Sequence, residues 1–416
     1  MPRRVAVTGL GMVSPFGGDT HDFFQRMLRG ESAVRWYETQ DVPKPLALPV
    51  VRCAEFDAVA RLGKPLAGTM DRFAQMGMAS ALEAWKQAGL DAEGAFDPWM
   101  AGVAWGSALG GVQVYERGYR DLWLNGQARV SPSSVVLGMN NAASSQIAIQ
   151  LGLGNSCLSY TVACASASAA IGEAFTRIRN GQAKIMVTGG SDATLAYSVV
   201  RAWDAMRILA PGDATTAAEA SRPFHARRAG LVLAEGAAAL VLEDWDHAMA
   251  RGAPILAELA GYGASCDHQH LVRPAREGQV QAIRQALDQA EIPLDAVGYV
   301  NAHGTATREG DPTEIAALKS VFGARAAAVA ISASKSMHGH AMGATGAIEA
   351  LITVLALQQD AIPPTANLDE IDPQCTGLRH VTGEALRGSG VEAALSNSFA
   401  FGGSNAVLAF RRANHF

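Results

Sequence analysis

Charge is scarce in this 416-residue chain: Asp, Glu, Lys and Arg make up 18% of it, and 34 basic against 39 acidic residues leave a formal charge of −5. It therefore lacks the basic field that nucleic acid or an anionic membrane surface requires, and an acidic partner has to be met by a local patch. Cysteine is sparse as well. Cys53, Cys157, Cys164, Cys266 and Cys375 are scattered without a C-x-x-C spacing. That pattern excludes a disulfide framework and a thiolate zinc site, and it points to a reducing, cytoplasmic setting. No long apolar run opens the chain: Gly9, Gly11 and Pro15 interrupt MPRRVAVTGLGMVSPFG before it reaches the length of a signal peptide or membrane span. The segment reads as a first buried strand. Pro/Ser-rich linkers are missing too, so the chain is expected to pack as one body.

What is present is apolar and glycine-rich: 49% hydrophobic residues and 43 glycines, which suits closely packed α/β layers. At about 150 residues per domain the length allows two to three units, or one unit duplicated. Short Val/Ile/Ala runs alternate with helical periodicity. VAVTGL is followed by Met78, Leu82 and Trp85 at helical spacing and then by VAWGS; later, Val280, Ile283 and Leu287 line a helix before VGYVNA. This alternation predicts βαβ units around a buried parallel sheet. A helix start is expected at Asp311 as N-cap, with Pro312 in the first helical position and Glu314 closing a capping box.

Two parallels suggest duplication. YTVA leads through CASAS into a helix bearing Ile171, Phe175 and Ile178, as VAIS leads through ASKSMHGH into one bearing Ile348, Leu351, Ile352 and Leu355. The nonapeptides GGSDATLAY and GGSNAVLAF, identical at six of nine positions, then occur later in each half. The halves are expected over 1–252 and 253–416.

Cys164 lies between a buried strand and a helix that begins almost at once. Amides at that helix start favour a thiolate by about 0.3–2 kcal/mol. A lone cysteine is more often a small buried thiol, but Ala163, Ala165 and Ser166 leave room here for a substrate. His303 in NAHGT and His340 in KSMHGH stand at strand ends beside glycines that allow close backbone approach. His21, His225, His247, His268, His270, His380 and His415 read as surface or satisfied core groups; His338 is ambiguous. A metal site from His338, His340 and His303 lacks a carboxylate at ligand spacing, and none is assigned.

VACASAS, NAHGTATREGD, KSMHGHAMGATGA and NSFAFGGSN, in this order and spacing over the whole chain, resemble the β-ketoacyl-acyl-carrier-protein synthases of the type II, elongating class. VAVTGLGMVSPFG, MDRFAQ and SRPFHARRAGLVLAEGA fit the same family. The resemblance implies an α/β thiolase-like fold, with duplicated βαβαβαββ halves in a five-layer αβαβα sandwich, and a dimer, either homotypic or with a related ketosynthase subunit. It implies that Cys164 takes an acyl chain from acyl carrier protein. Malonyl carrier protein would then lose carbon dioxide and attack the acyl-Cys164. His303 and His340 would stabilise the enolate, and the backbone N–H groups of Cys164 and Phe401 would form the oxyanion hole. Lys335 would pair with Glu309 and organise the site; Phe399, Phe401, Gly402 and Gly403 would form a mobile gate. No cofactor is implied.

Two departures from the family pattern concern the acyl chain and docking. Elongating enzymes commonly carry bulky aromatics where SPSSVV has Ser133 and Ser134, a segment that reaches the partner's acyl pocket, and Leu109 would be the other wall. The basic cluster expected before MDRFAQ is reduced to Lys64, leaving Arg207, with Arg129 and Arg201 as further docking candidates. Both departures point from primary fatty acid synthesis towards a specialised polyene or polyketide pathway. The alternative is a chain-length-factor-like partner subunit, which shares the fold but lacks the nucleophile. A thiolase would need a second catalytic cysteine, and Cys375 in DPQCTGL has none of the expected glycine context.

Overall fold

The structure, a computed structural model, describes residues 2–42, 44–92 and 94–413; His415 lies outside them. Ten principal strands carry the fold. The first half holds β1 (Val5–Val13), β2 (Ala101–Gly106), β3 (Cys157–Tyr160), β4 (Ile185–Ala193) and β5 (Leu233–Asp244). The second holds β6 (Ala257–Cys266), β7 (Val297–Asn301), β8 (Ala330–Ser332), β9 (Ala393–Phe399) and β10 (Ser404–Arg412). Their spatial orders are β3-β2-β4-β5-β1 and β8-β7-β9-β10-β6, the same permutation twice. In each half the first three strands of that order run parallel and the last two pair antiparallel. The two blocks join where Val5–Val7 meets Ala257–Leu259 antiparallel. The fold is thus a duplication, as expected.

Helices complete five layers. On the outer face of the first block lie α1 (Arg72–Gln87) and α2 (Ala142–Leu151), and on that of the second lie α4 (Arg276–Ala290) and α5 (Gly310–Phe322). Between the blocks run α3 (Ser166–Arg179) and α6 (Thr345–Gln359), which contact strands of both. Helix α6 is buried on every side from Thr345 to Leu357, the placement a helix apolar all round demands.

The repeat that matters physically is a Gly-x-Gly in the first strand of each half. A Cβ at Gly9 or Gly11 would run into the backbone carbonyls of Ala84 or Ser80 on α1, and one at Gly261 or Gly263 into those of Ala286 or Ala282 on α4. Glycine lets each outer helix seat directly on its strand. By contrast, the nonapeptide match is not structural. Gly189–Tyr197 spans the end of β4, the fourth strand of its half, whereas Gly402–Phe410 spans a turn and β10, the fifth. The likeness therefore joins non-equivalent strands and reflects shared composition.

Two local expectations also change. The strand read as YTVA occupies Cys157–Tyr160, because Ala163 turns the chain with φ +47°. The capping box at Asp311 does not form: α5 begins at Gly310, and both carboxylates point inward to distant partners. Asp311 Oδ2 accepts from the Phe224 N–H at 2.7 Å, and Glu314 serves the His303 loop. The boundary expected after residue 252 falls between the helix Trp245–Ala250 and β6.

Candidate active site

Cys164 stands in the turn between β3 and α3. Ser166 locks that turn, its Oγ accepting from the Val162 N–H at 2.9 Å and donating to the Ala163 carbonyl at 2.7 Å. The left-handed Ala163 needs a small side chain, and the sequence supplies one. Cys164 is 8% exposed. Burial pushes its thiol up to about 11, outweighing the Lys335 ammonium and the backbone N–H groups of Phe401 and Cys164 itself, which favour the thiolate. The thiolate expected from the helix start is therefore not the resting form; desolvation exceeds the helix-end effect.

His303 and His340 face each other edge-on, with ring centroids 5.6 Å apart. Burial holds both well below the ordinary imidazole range, and the Lys335 ammonium adds to the effect, so both rings are neutral. Lys335 Nζ lies 3.4 Å from His303 Nδ1 and also donates to the His303 carbonyl. His340 Nδ1 meets Thr345 Oγ1 at 2.9 Å, and its Nε2 has no partner among the described residues. Glu314 fixes the His303 backbone by accepting from the N–H groups of His303 and Gly304, each at 2.9 Å, and from Asn397 Nδ2 at 3.0 Å. His338 is tied through Nε2 to Ser334 Oγ at 2.9 Å. Among the described residues no cluster of His, Cys, Asp or Glu is set to hold a metal.

The expected Lys335–Glu309 pair is replaced by another. Lys335 Nζ lies 2.6 Å from Glu349 Oε1 on α6, both side chains buried, whereas Glu309 is exposed at the start of α5. Helix α6 threads the core and carries its carboxylate to the lysine; Glu309 lies at the cavity rim. Glu349 had one signal in the sequence, a single charge within the apolar run GAIEALITVLAL.

One cavity of about 530 Å³ brings together Cys164, His303, His340, Phe399 and Phe401. Phe399 ends β9 with its ring 6.1 Å from that of His303, and Phe401 stacks on Trp203 at 5.8 Å. Gly402 and Gly403 take φ of +86° and +74°. The Gly402 N–H donates to the Leu271 carbonyl at 2.7 Å, and the Gly403 carbonyl accepts from the Asp267 N–H at 2.8 Å, so this turn is fastened to the loop after β6.

The remaining candidates separate. Arg207 lines the cavity, in company with Arg273 and Arg308, which sit in segments without a basic signature; all three are exposed. Lys64 and Arg129 are exposed away from it, and Arg201 is drawn to Asp204 at 3.6 Å. Leu109, Ser133 and Ser134 do not line the described cavity. Ser133 is exposed and Ser134 half-buried at the start of the short helix Ser134–Gly138, while the Leu109 N–H donates to Asp192 Oδ1 at 3.2 Å. Cys375 is buried outside the cavity that holds Cys164, His303 and His340.

Known proteins match this arrangement along its whole length. Residues 2–248 fit the family described as beta-ketoacyl synthase, N-terminal domain, and residues 256–369 its C-terminal domain. Nodulation protein E of Rhizobium sp. (strain N33) is 41% identical over 99% of this chain and 100% of its own. The 3-oxoacyl-[acyl-carrier-protein] synthase 2 of Synechocystis sp. is 37% identical over 99% of this chain and 98% of its own. Among solved structures, a type II polyketide synthase acyl-carrier protein in complex with its ketosynthase bound to the hexaketide aligns with a TM-score of 0.90 at 29% identity, covering 100% of both chains. No described helix is long and apolar enough to cross a membrane. The chain that places Cys164, His303 and His340 around one cavity belongs to the β-ketoacyl synthase family.

Proposed function

We propose that this chain catalyses the decarboxylative Claisen condensation of a Cys164-bound acyl chain with malonyl-acyl carrier protein, giving a 3-oxoacyl chain two carbons longer. The observation that carries the reading is the convergence of one thiol and two neutral histidines in a single cavity. Cys164 attacks the acyl thioester, its thiol proton passing to the sulfur of the departing carrier, and the N–H groups of Cys164 and Phe401 hold the oxyanion. The free carrier thiol leaves.

In the second half-reaction the malonyl thioester oxygen sits against the histidines. The Lys335 ammonium faces His303 Nδ1, which leaves the proton on Nε2 for donation. Thr345, donating to His340 Nδ1, does the same for the unpartnered Nε2 of His340. Carbon dioxide departs, the enolate forms against two fixed donors in a water-poor site, and its carbanion attacks the acyl-Cys164 carbonyl, forming the C–C bond and expelling the Cys164 sulfur as a thiolate that takes a proton from solvent. Each such donor is worth about 2.7–4 kcal/mol.

The partners in this reading are acyl- and malonyl-loaded carrier proteins, docking at the mouth near Arg207, and a second ketosynthase-type subunit, identical or related. The halves meet near residue 252, and the setting is cytoplasmic. Ser133 and Ser134 in place of aromatics favour a specialised polyene or polyketide pathway. A subunit serving only as a chain-length factor has no need of the nucleophile, so Cys164 sharing one cavity with two histidines favours the active synthase. Intact-protein mass spectrometry with a panel of acyl carrier proteins tests the reading. An acyl adduct on Cys164, converted by malonyl carrier protein to a chain longer by two carbons, is expected; no adduct, or one on another cysteine, would overturn it.

A further inference from the structure

Asp192, near the end of β4, is fully buried, and among the described residues no salt bridge reaches it. A lone carboxylate in the interior is costly unless donors surround it. They do. Oδ1 accepts from Ser107 Oγ at 2.8 Å and from the Leu109 N–H at 3.2 Å, and Oδ2 accepts from the Ala108 N–H at 2.9 Å. The Gly343 N–H, from the other half of the molecule, completes the set.

These donors come from two segments that carry site residues. Ser107–Leu109 follows β2 and holds the proposed wall of the acyl pocket. Gly343 lies in the turn Met342–Ala344, between His340 and the Thr345 that bonds its Nδ1. The contact is direct: a Cβ on Gly343 would crowd Ala108 N and Asp192 Oδ2. One carboxylate thus joins the segment of the proposed acyl wall, which lies outside the described cavity, to the segment that carries His340.

We infer that Asp192 is a positioning residue, setting His340 for enolate stabilisation by bracing its segment against the Leu109 turn, the proposed acyl wall. The inference rests on the proposed condensation. Asparagine at this position keeps one acceptor oxygen but turns an NH₂ towards N–H donors, so both segments are free to shift. A displacement of about 1 Å at a reacting centre can cost up to 10²-fold, whereas attack by Cys164 on a short acyl thioester makes no use of His340's placement by Gly343.

The test is D192N in the full-length protein, with thermal melting and the two half-reactions assayed separately. Malonyl decarboxylation by the acylated enzyme should fall at least about tenfold, self-acylation by a short acyl carrier protein should stay within about threefold, and discrimination between short and long acyl chains should flatten. An equal fall in both half-reactions, or no change in either, would overturn the inference. Should D192N not fold, S107A, which keeps the carboxylate and removes one donor, must show the same split in smaller degree; an unsplit S107A overturns the inference equally. Inactivity of the wild type towards every carrier would sink the condensation reading and this inference with it, while an active wild type with unsplit variants would sink this inference alone.

Discussion

Lys335 and Glu349 meet inside the molecule, Nζ to Oε1 at 2.6 Å, where the lysine leads towards His340 and the glutamate sits on a helix otherwise uncharged through the core. The same ammonium touches the carbonyl and the ring of His303. Burial drives the Glu349 carboxyl above the ordinary carboxylate range while the ammonium draws it back. The pair therefore stabilises the fold only as a pair, and its ammonium reinforces the neutral state that burial imposes on the histidines.

Breaking it from one side should be expensive. K335A or E349Q should destabilise by about 3–5 kcal/mol, because each leaves a buried polar group without its partner. E309A, at an exposed position, should stay within about 0.5 kcal/mol. Urea unfolding of the three variants measures this, and a costly E309A would restore the pairing implied by the family resemblance.

The histidine roles predict a split between half-reactions. H303A and H340A should each lower malonyl decarboxylation by about 10²–10³-fold and impair self-acylation less, since the enolate forms only in the later step. Separate assays with malonyl and acyl carrier proteins decide it. Equal losses would mean that both histidines act chiefly on Cys164.

The raised thiol has a pH signature. Below its pKa a thiol's thiolate fraction climbs about tenfold per pH unit, so alkylation of Cys164 by iodoacetamide should keep accelerating through the alkaline range towards its value of about 11. Exposed Cys157 and Cys266 react too, so peptide mapping follows the Cys164 site alone. A plateau near neutrality would mean that the helix start wins over desolvation after all.

At the mouth, R273E and R308E should raise KM for an acidic carrier protein more at low salt than at high, leaving kcat nearly unchanged. R129E, away from the cavity, serves as control. If R129E weakens the carrier as strongly and the mouth variants do not, docking lies elsewhere.

S134F tests the pocket across a dimer. Each methylene refused is worth about 1–3 kcal/mol, so long primers should fail to acylate Cys164 while short ones react almost as before. Uniform slowing would place Ser134 in folding or dimerisation instead.

Local sequence determined a great deal here. The alternation of Val/Ile/Ala runs with helical periodicity is a property of neighbours along the chain, and it yielded the strands, the helices and the duplication. The motifs around Cys164, His303, His340 and Phe401 were legible because each is a short turn whose small residues are demanded by its own backbone, as at left-handed Ala163 and at Gly402–Gly403. What the chain could not announce locally were long-range partners. Asp311 and Glu314 have the spacing of a capping box, yet burial gives them to Phe224 and to the His303 loop. The family resemblance gives Lys335 a carboxylate at Glu309, whereas the fold pairs it with Glu349, the nearer of the two in sequence. The helix start argues for a thiolate at Cys164, and only the packed surroundings raise the thiol instead. In each case the deciding quantity is removal from water, which is set by everything that folds over a group and is fixed only when the two halves close on one another.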